Sequence, residues 1–199
     1  YQSISTIAIV DPTGEITDVI NTPPGETRLS IQGDQDGGGD AIDGDFTVTV
    51  TGANSVADLN SIMENTSGPI TATVTTQTMA DVGGELGLAK LALGTVSAAD
   101  ANLTITVTDE TVAASDLIAL AGKTAIAVTA TTATSITGSV SGINELLAAV
   151  NAGGEVSITA SADFSLTDDA VTAADLALLD TANGAGDVIV KAGAAVSGT

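Results

Sequence analysis

Five aspartates crowd one glycine-rich stretch, GDQDGGGDAIDGD at residues 33–45: Asp34, Asp36, Asp40, Asp43 and Asp45. Counted from Asp34, carboxylates fall at positions 1, 3, 7 and 12 of a twelve-residue loop, with Gly39 at position 6. Oxygen ligands at that spacing, with a glycine that lets the backbone fold round a centre, are what a calcium ion needs. The loop departs from the helix-flanked calcium loop at position 5, which is Gly38, at position 12, which is Asp rather than Glu, and in lacking flanking helices. Calcium is the cofactor these residues predict, with a solvated acidic turn as the plain alternative. A second acidic set, Asp109-Glu110 and Asp168-Asp169, sits where strand-like runs pass into helix-like runs. There a carboxylate complements the positive end of a helix without any ligand.

What the chain lacks narrows the remaining chemistry. It has no His and no Cys, so the common nucleophile–base pairs, thiolate metal sites and disulfides are unavailable. Paired carboxylates can do acid–base work, but a sugar cleft also needs basic or aromatic side chains, and the chain has one Arg and no Trp. No catalytic residues are therefore expected. The formal charge of −21, against which stand only Arg28, Lys90, Lys123 and Lys191, repels nucleic acid and anionic membrane alike. Such an excess of carboxylates suits high salt or neutralisation by divalent cations. No apolar run reaches the roughly 18 residues of a membrane span, so membrane insertion is not expected, and these residues are not expected to include a signal peptide. The chain opens on Tyr1 rather than Met, as a processed form or a piece of a longer protein would.

The elements that must position these groups are set by an internal repeat. LTITVTDETVAASDLIAL at 103–120 is replayed as FSLTDDAVTAADLALL at 164–179 and as FTVTVTGANSVADLNSI at 46–62. Asp58, Asp116 and Asp175 mark a period of about 58 residues. Five runs alternate apolar and hydroxyl side chains: Phe46 to Thr51, Ile70 to Thr75, Leu103 to Thr108, Val128 to Thr131 and Val156 to Ser161. Period two with one apolar face predicts half-buried strands. Between them, helices are predicted over Val56–Glu64, Gly84–Leu93, Val112–Ala121, Gly142–Val150 and Thr172–Ala182. Ser55 with Asp58 and Thr172 with Asp175 have capping-box spacing, and Gly122 ends the third helix. Gly94-Thr95-Val96-Ser97 aligns with Gly154-Glu155-Val156-Ser157, so Ser97 to Asp100 reads as strand or turn rather than a helix start.

These elements predict an α/β repeat, a solenoid of short parallel strands and short helices, with an all-β solenoid as the alternative. Residues 1–32, with strands in YQSISTIAIV, EITDVIN and Arg28 to Ile31, form a β-rich cap or connector. Residues 33–45 are the acidic loop, and 46–199 the array, incomplete at both ends. Val188 to Gly198 lines up with Val128 to Gly138, and the rest of that repeat is missing. Either the chain was cut from a longer array or its end is covered by another copy. The outward threonines are a solvated strand face, which ordered water, glycans or neighbouring fibres could also use.

The phrases TVTDETVAASDLIALAGKT and VTATTATSITGSVSGINELLAAV, in an acidic Thr/Ala/Gly-rich context, resemble the repeats of very long surface proteins of marine cyanobacteria, or virion appendages of their phages. The resemblance covers Phe46 to Thr199 and implies a secreted, structural or adhesive role, often with calcium. The expected function is thus a non-enzymatic extracellular structural protein, a segment of a surface fibre that self-associates head to tail through exposed strand edges. A calcium-dependent adhesin or virion module that binds a surface or glycan is the alternative.

Overall fold

A computed structural model describes residues 7–10, 16–20, 47–64 and 66–198. Its fold is mixed α/β, with parallel strands in small sheets and short helices, and none of the described sheets closes into a barrel. The chain divides into two compact units, one of Tyr1–Thr76, Ala80–Ile105 and Lys123–Ile126, the other of Gln77–Met79, Thr106–Gly122 and Ala127–Thr199. The expected strand at Arg28 to Ile31 and the acidic loop lie outside the described residues.

In the first unit, β1 (Ile7–Val10) and β2 (Ile16–Ile20) pair antiparallel, and β1 runs antiparallel to β3 (Thr47–Asn54). β4 (Ile70–Val74) and β5 (Ala101–Thr104) add in parallel, which gives the order β2-β1-β3-β4-β5. The alternation seen in the sequence decides the faces: Val48, Val50, Ile70, Ala72, Val74 and Leu103 are buried, while Thr47, Thr49, Thr71, Thr73 and Thr104 are exposed. A hydroxyl-bearing, β-branched residue satisfies both strand geometry and water on the open face.

Parallel neighbours require crossovers. The first is α1 (Val56–Met63), started by Ser55, whose hydroxyl accepts from the Asp58 N–H at 3.1 Å and donates to the Asp58 carboxylate at 2.7 Å. Its buried face is Val56, Leu59, Ile62 and Met63. The second crossover corrects the expected helix over Gly84–Leu93. Val82 and Glu85 exchange backbone hydrogen bonds of 3.1 and 3.0 Å around Gly83 and Gly84, whose φ values are 62° and 90°. Two successive left-handed residues make a tight hairpin and cannot continue a right-handed helix, so only a 3-10 turn at Leu88–Lys90 remains. Ser97 to Asp100 is a turn.

The second unit holds β6 (Thr111–Ala113), α2 (Ala114–Ala121), β7 (Val128–Ala130), β8 (Ser135–Gly138), α3 (Val140–Ala148), β9 (Val156–Ile158), β10 (Asp163–Leu166), β11 (Ala170–Thr172), α4 (Ala173–Asn183), β12 (Val188–Ile189) and β13 (Ala195–Ser197). One parallel sheet has the order β12-β10-β8-β6; β7 pairs with β9 and β11 with β13, also in parallel. With four α-helices among the described residues, the all-β alternative is excluded. Thr172 and Asp175 form the expected reciprocal capping box on α4, and Gly122 caps the end of α2. α3 begins two residues earlier than expected, because Ser139 caps it by accepting from the Gly142 N–H at 3.1 Å. Phe164, 1% exposed, pairs in register with the fully buried Ile136 of β8.

Sequence counterparts share pairing partners. Val112 pairs with Ile136, and their counterparts Val171 and Val196 pair with each other; Thr106 bridges Thr129, as Ser165 pairs with Ile189. Gly94 and Gly154 are both left-handed, at φ 56° and 61°. A Cβ at Gly94 would lie 2.3 Å from the Met63 carbonyl oxygen, whereas at Gly154 nothing stands within 4 Å. Gly154→Ala should therefore cost only the left-handed penalty, about 1–2 kcal/mol, and Gly94→Ala roughly 3 kcal/mol or more, because a backbone carbonyl must also move. Urea midpoints at unchanged slope measure both, and equal losses would contradict the contact.

Candidate functional site

The predicted calcium ligands Asp34, Asp36, Asp40, Asp43 and Asp45 all lie outside the described residues. Among the described residues no three acidic side chains converge so as to hold a metal ion.

The corner carboxylates are placed with a role the sequence did not indicate. Asp168 Oδ2 accepts the Val140 N–H at 2.8 Å, the first amide of α3, so it serves the helix before it and not α4, which follows it. Its counterpart Asp109 accepts the Met79 N–H at 2.7 Å, where there is no helix. The backbone beside them is also used: the Glu110 carbonyl accepts from the Ser135 N–H at 3.0 Å, and the Asp169 carbonyl from the Ala195 N–H at 2.8 Å. These residues tie each strand layer to a neighbour. An anionic acceptor makes a stronger bond to a backbone N–H than a neutral one.

A second recurrent position escaped the reading of the sequence, although its spacing was visible. Thr66, Thr124 and Asn183 recur at the repeat length of about 58 residues, just after or at the end of a helix, and all are buried. Thr124 Oγ1 accepts the Leu103 N–H at 2.9 Å and the Ile126 N–H at 3.1 Å, and its proton faces the carbonyls of Ala101 at 3.0 Å and Leu103 at 2.9 Å. One hydroxyl thus fills its full hydrogen-bonding capacity in closing the side of β5. Thr66 Oγ1 likewise accepts from the N–H two residues on, that of Gly68, at 3.1 Å. At Asn183 the Nδ2 amide has no partner.

Elsewhere, Ala113, Ala114, Ser115, Thr137, Gly138, Ser139, Gly142 and Thr167 line a shallow groove in the second unit. None of these side chains titrates near neutral pH, and the Ser139 hydroxyl already caps α3. In the same unit Lys191 pairs with Asp169 on the surface. The hydrogen bond from Lys191, and then its charge, hold the Asp169 carboxyl below its ordinary value. A folded value below the unfolded one means that the pair favours the fold above the ordinary carboxylate range and fades as pH falls through the lowered value. Lys123, by contrast, has its ammonium pKa lowered by burial, while its Nζ donates to the Leu91 carbonyl at 2.6 Å.

The described surface also carries large apolar side chains: Val82, Leu86 and Ile126 in the first unit, and Leu178, Ile189 and Val196 in the second. Ile189 and Val196 belong to β12 and β13, the last strands of their sheets. Val171, covered by β13, is 3% exposed, while Val196, with no described strand beyond it, is 56% exposed. No described helix is long and apolar enough to cross a membrane. Comparison with protein-family models, with curated proteins and with solved structures finds no match.

Thr124→Val keeps the shape but orphans two backbone N–H groups, and should cost about 2–3 kcal/mol, with faster hydrogen exchange at the Leu103 amide. Asn183→Thr, which removes an unpartnered amide, should be neutral or stabilising by about 1 kcal/mol; a loss as large as that of the valine variant would refute the shared role. Lys191→Met should let the Asp169 carboxyl rise toward its ordinary value in an NMR titration, and an unmoved midpoint would show that the pair does not form in solution.

Proposed function

We propose that the chain is a non-enzymatic structural module of an extracellular surface fibre. In this reading it is a short α/β solenoid of repeats about 58 residues long, opened by the β1–β2 hairpin as a cap and lengthened by strand-edge pairing with a further copy. One observation carries it: β6, β8, β10 and β12 stack in parallel in chain order, and β12 and β13 end the series with no described strand on their far side and with Ile189 and Val196 exposed. The matched pairings of sequence counterparts, Val112 with Ile136 and Val171 with Val196, support a common repeat geometry. Antiparallel β1 covers the side of β3 that a further parallel strand would need, so the two ends of the chain present different surfaces, as a head-to-tail contact requires. Such a head-to-tail contact is heterologous and does not close on itself, and so it yields fibres rather than rings of two.

The location outside the cell, on a cell surface or a virion, rests on the acidic composition and the resemblance of the repeats. Calcium held by the acidic loop would screen repulsion between copies that each carry a formal charge of −21. Negative-stain electron microscopy of the purified chain, in calcium and in chelator, tests the proposal. Regular filaments are the expected result, with loss in chelator if the acidic loop lies at the joint. Separate particles under both conditions would overturn the polymer reading.

A further inference from the structure

We propose that the Asp81–Leu86 hairpin of one copy is the contact that docks on the open strands β12 and β13 of the next. This inference rests on the self-assembly reading above and adds the residues that make the contact. The hairpin is where the first unit departs from its own repeat: its sequence counterpart around Gly142 is helical in α3, whereas Gly83-Gly84 turns the chain sharply here. That departure has a cost and a product. It gives up a helix and instead holds out a run of exposed residues from Asp81 to Leu86, with Val82 61% and Leu86 36% exposed. The hairpin is held in shape from within, by the Val82–Glu85 backbone pair and by Asp81 Oδ1, which accepts the Gly87 N–H at 2.9 Å. A preorganised apolar tip loses little entropy on docking.

Charge selects the occupant. Copies this acidic repel one another, so any contact between them needs a place where opposite charges meet. Arg28, Lys90 and Lys123 all belong to the first unit, and Lys191 is the only basic residue of the second. It stands two residues from Ile189 and five from Val196, and its side chain is 48% exposed even while it pairs with Asp169. On the hairpin, Asp81 and Glu85 flank Val82 and Leu86. Apolar residues framed by carboxylates on the hairpin thus match apolar residues that lie on either side, in sequence, of the one cation of the opposite unit, and a second copy of this chain supplies both halves.

Sedimentation velocity of the full chain at about 0.15 M salt, where repulsion is screened beyond roughly 8 Å, tests the contact. The wild type should assemble. A hairpin variant, Val82→Ser with Leu86→Ser, and a strand variant, Ile189→Ser with Val196→Ser, should each associate at least tenfold more weakly. Glu85→Lys should do the same without touching the apolar pair. All these side chains are exposed, so circular dichroism should show the fold retained. Mixed in equal amounts, the two double variants each keep one intact half and should form a dimer that grows no further. A mixture without that dimer overturns the proposal. A wild type that assembles while the hairpin variant assembles equally well overturns this contact and leaves the structural reading standing; a wild type that stays monomeric overturns both.

Discussion

Main-chain hydrogen bonding between parallel strands in small sheets is the interaction on which the rest of each unit depends. With aromatic residues at 2% of the chain, its cores are built from many small aliphatic contacts such as Val112, Ile136 and Val171. Such side chains fill a narrow space between layers well, but each contributes only roughly 1.5–3 kcal/mol when fully buried. Close approach of the layers follows, and with it the glycine at 94, where the Met63 carbonyl leaves no room for a methyl group. Buried backbone N–H groups must then find partners within the layer or in the next one.

Where a strand stops short, side chains take the place of backbone. Thr124 does so for β5, Asp109 for Met79, and Asp168 for the first amide of α3. These are jobs for oxygen acceptors, and carboxylates perform them without a basic partner. That accounts for how a chain with 25 acidic and four basic residues can use acids structurally while forming, among its described residues, a single ion pair. The remaining carboxylates are free to hold the surface charge high, which opposes unplanned association between open strand edges.

Much of the local structure was legible because it depends on neighbours in sequence. Alternation at Ile70 to Thr75 and at Val128 to Thr131 marked strands with the correct face inward. Ser55-Asp58 and Thr172-Asp175 marked two helix starts, because a cap acts on amides two or three residues away. The helix expected from Gly84 does not form there, because Gly83 and Gly84 both adopt the left-handed backbone that glycine permits. Ser139 was overlooked because no acid follows three residues later to announce it.

The sequence by itself determined the roughly 58-residue spacing of its recurring phrases, the alternation of strand-like and helix-like runs, the lack of His and Cys, and the formal charge of −21. Only the tertiary structure decided which amides Asp109 and Asp168 serve, since those partners lie about 30 residues upstream and their identity depends on how strands from separate layers align. It also decided that Thr124 would close the side of β5 and that Val82, Leu86, Ile189 and Val196 would stand exposed. A residue's type states what it can bond to or shed water with; which groups remain over once the layers have paired is a property of the register, and the register is set by contacts remote in sequence.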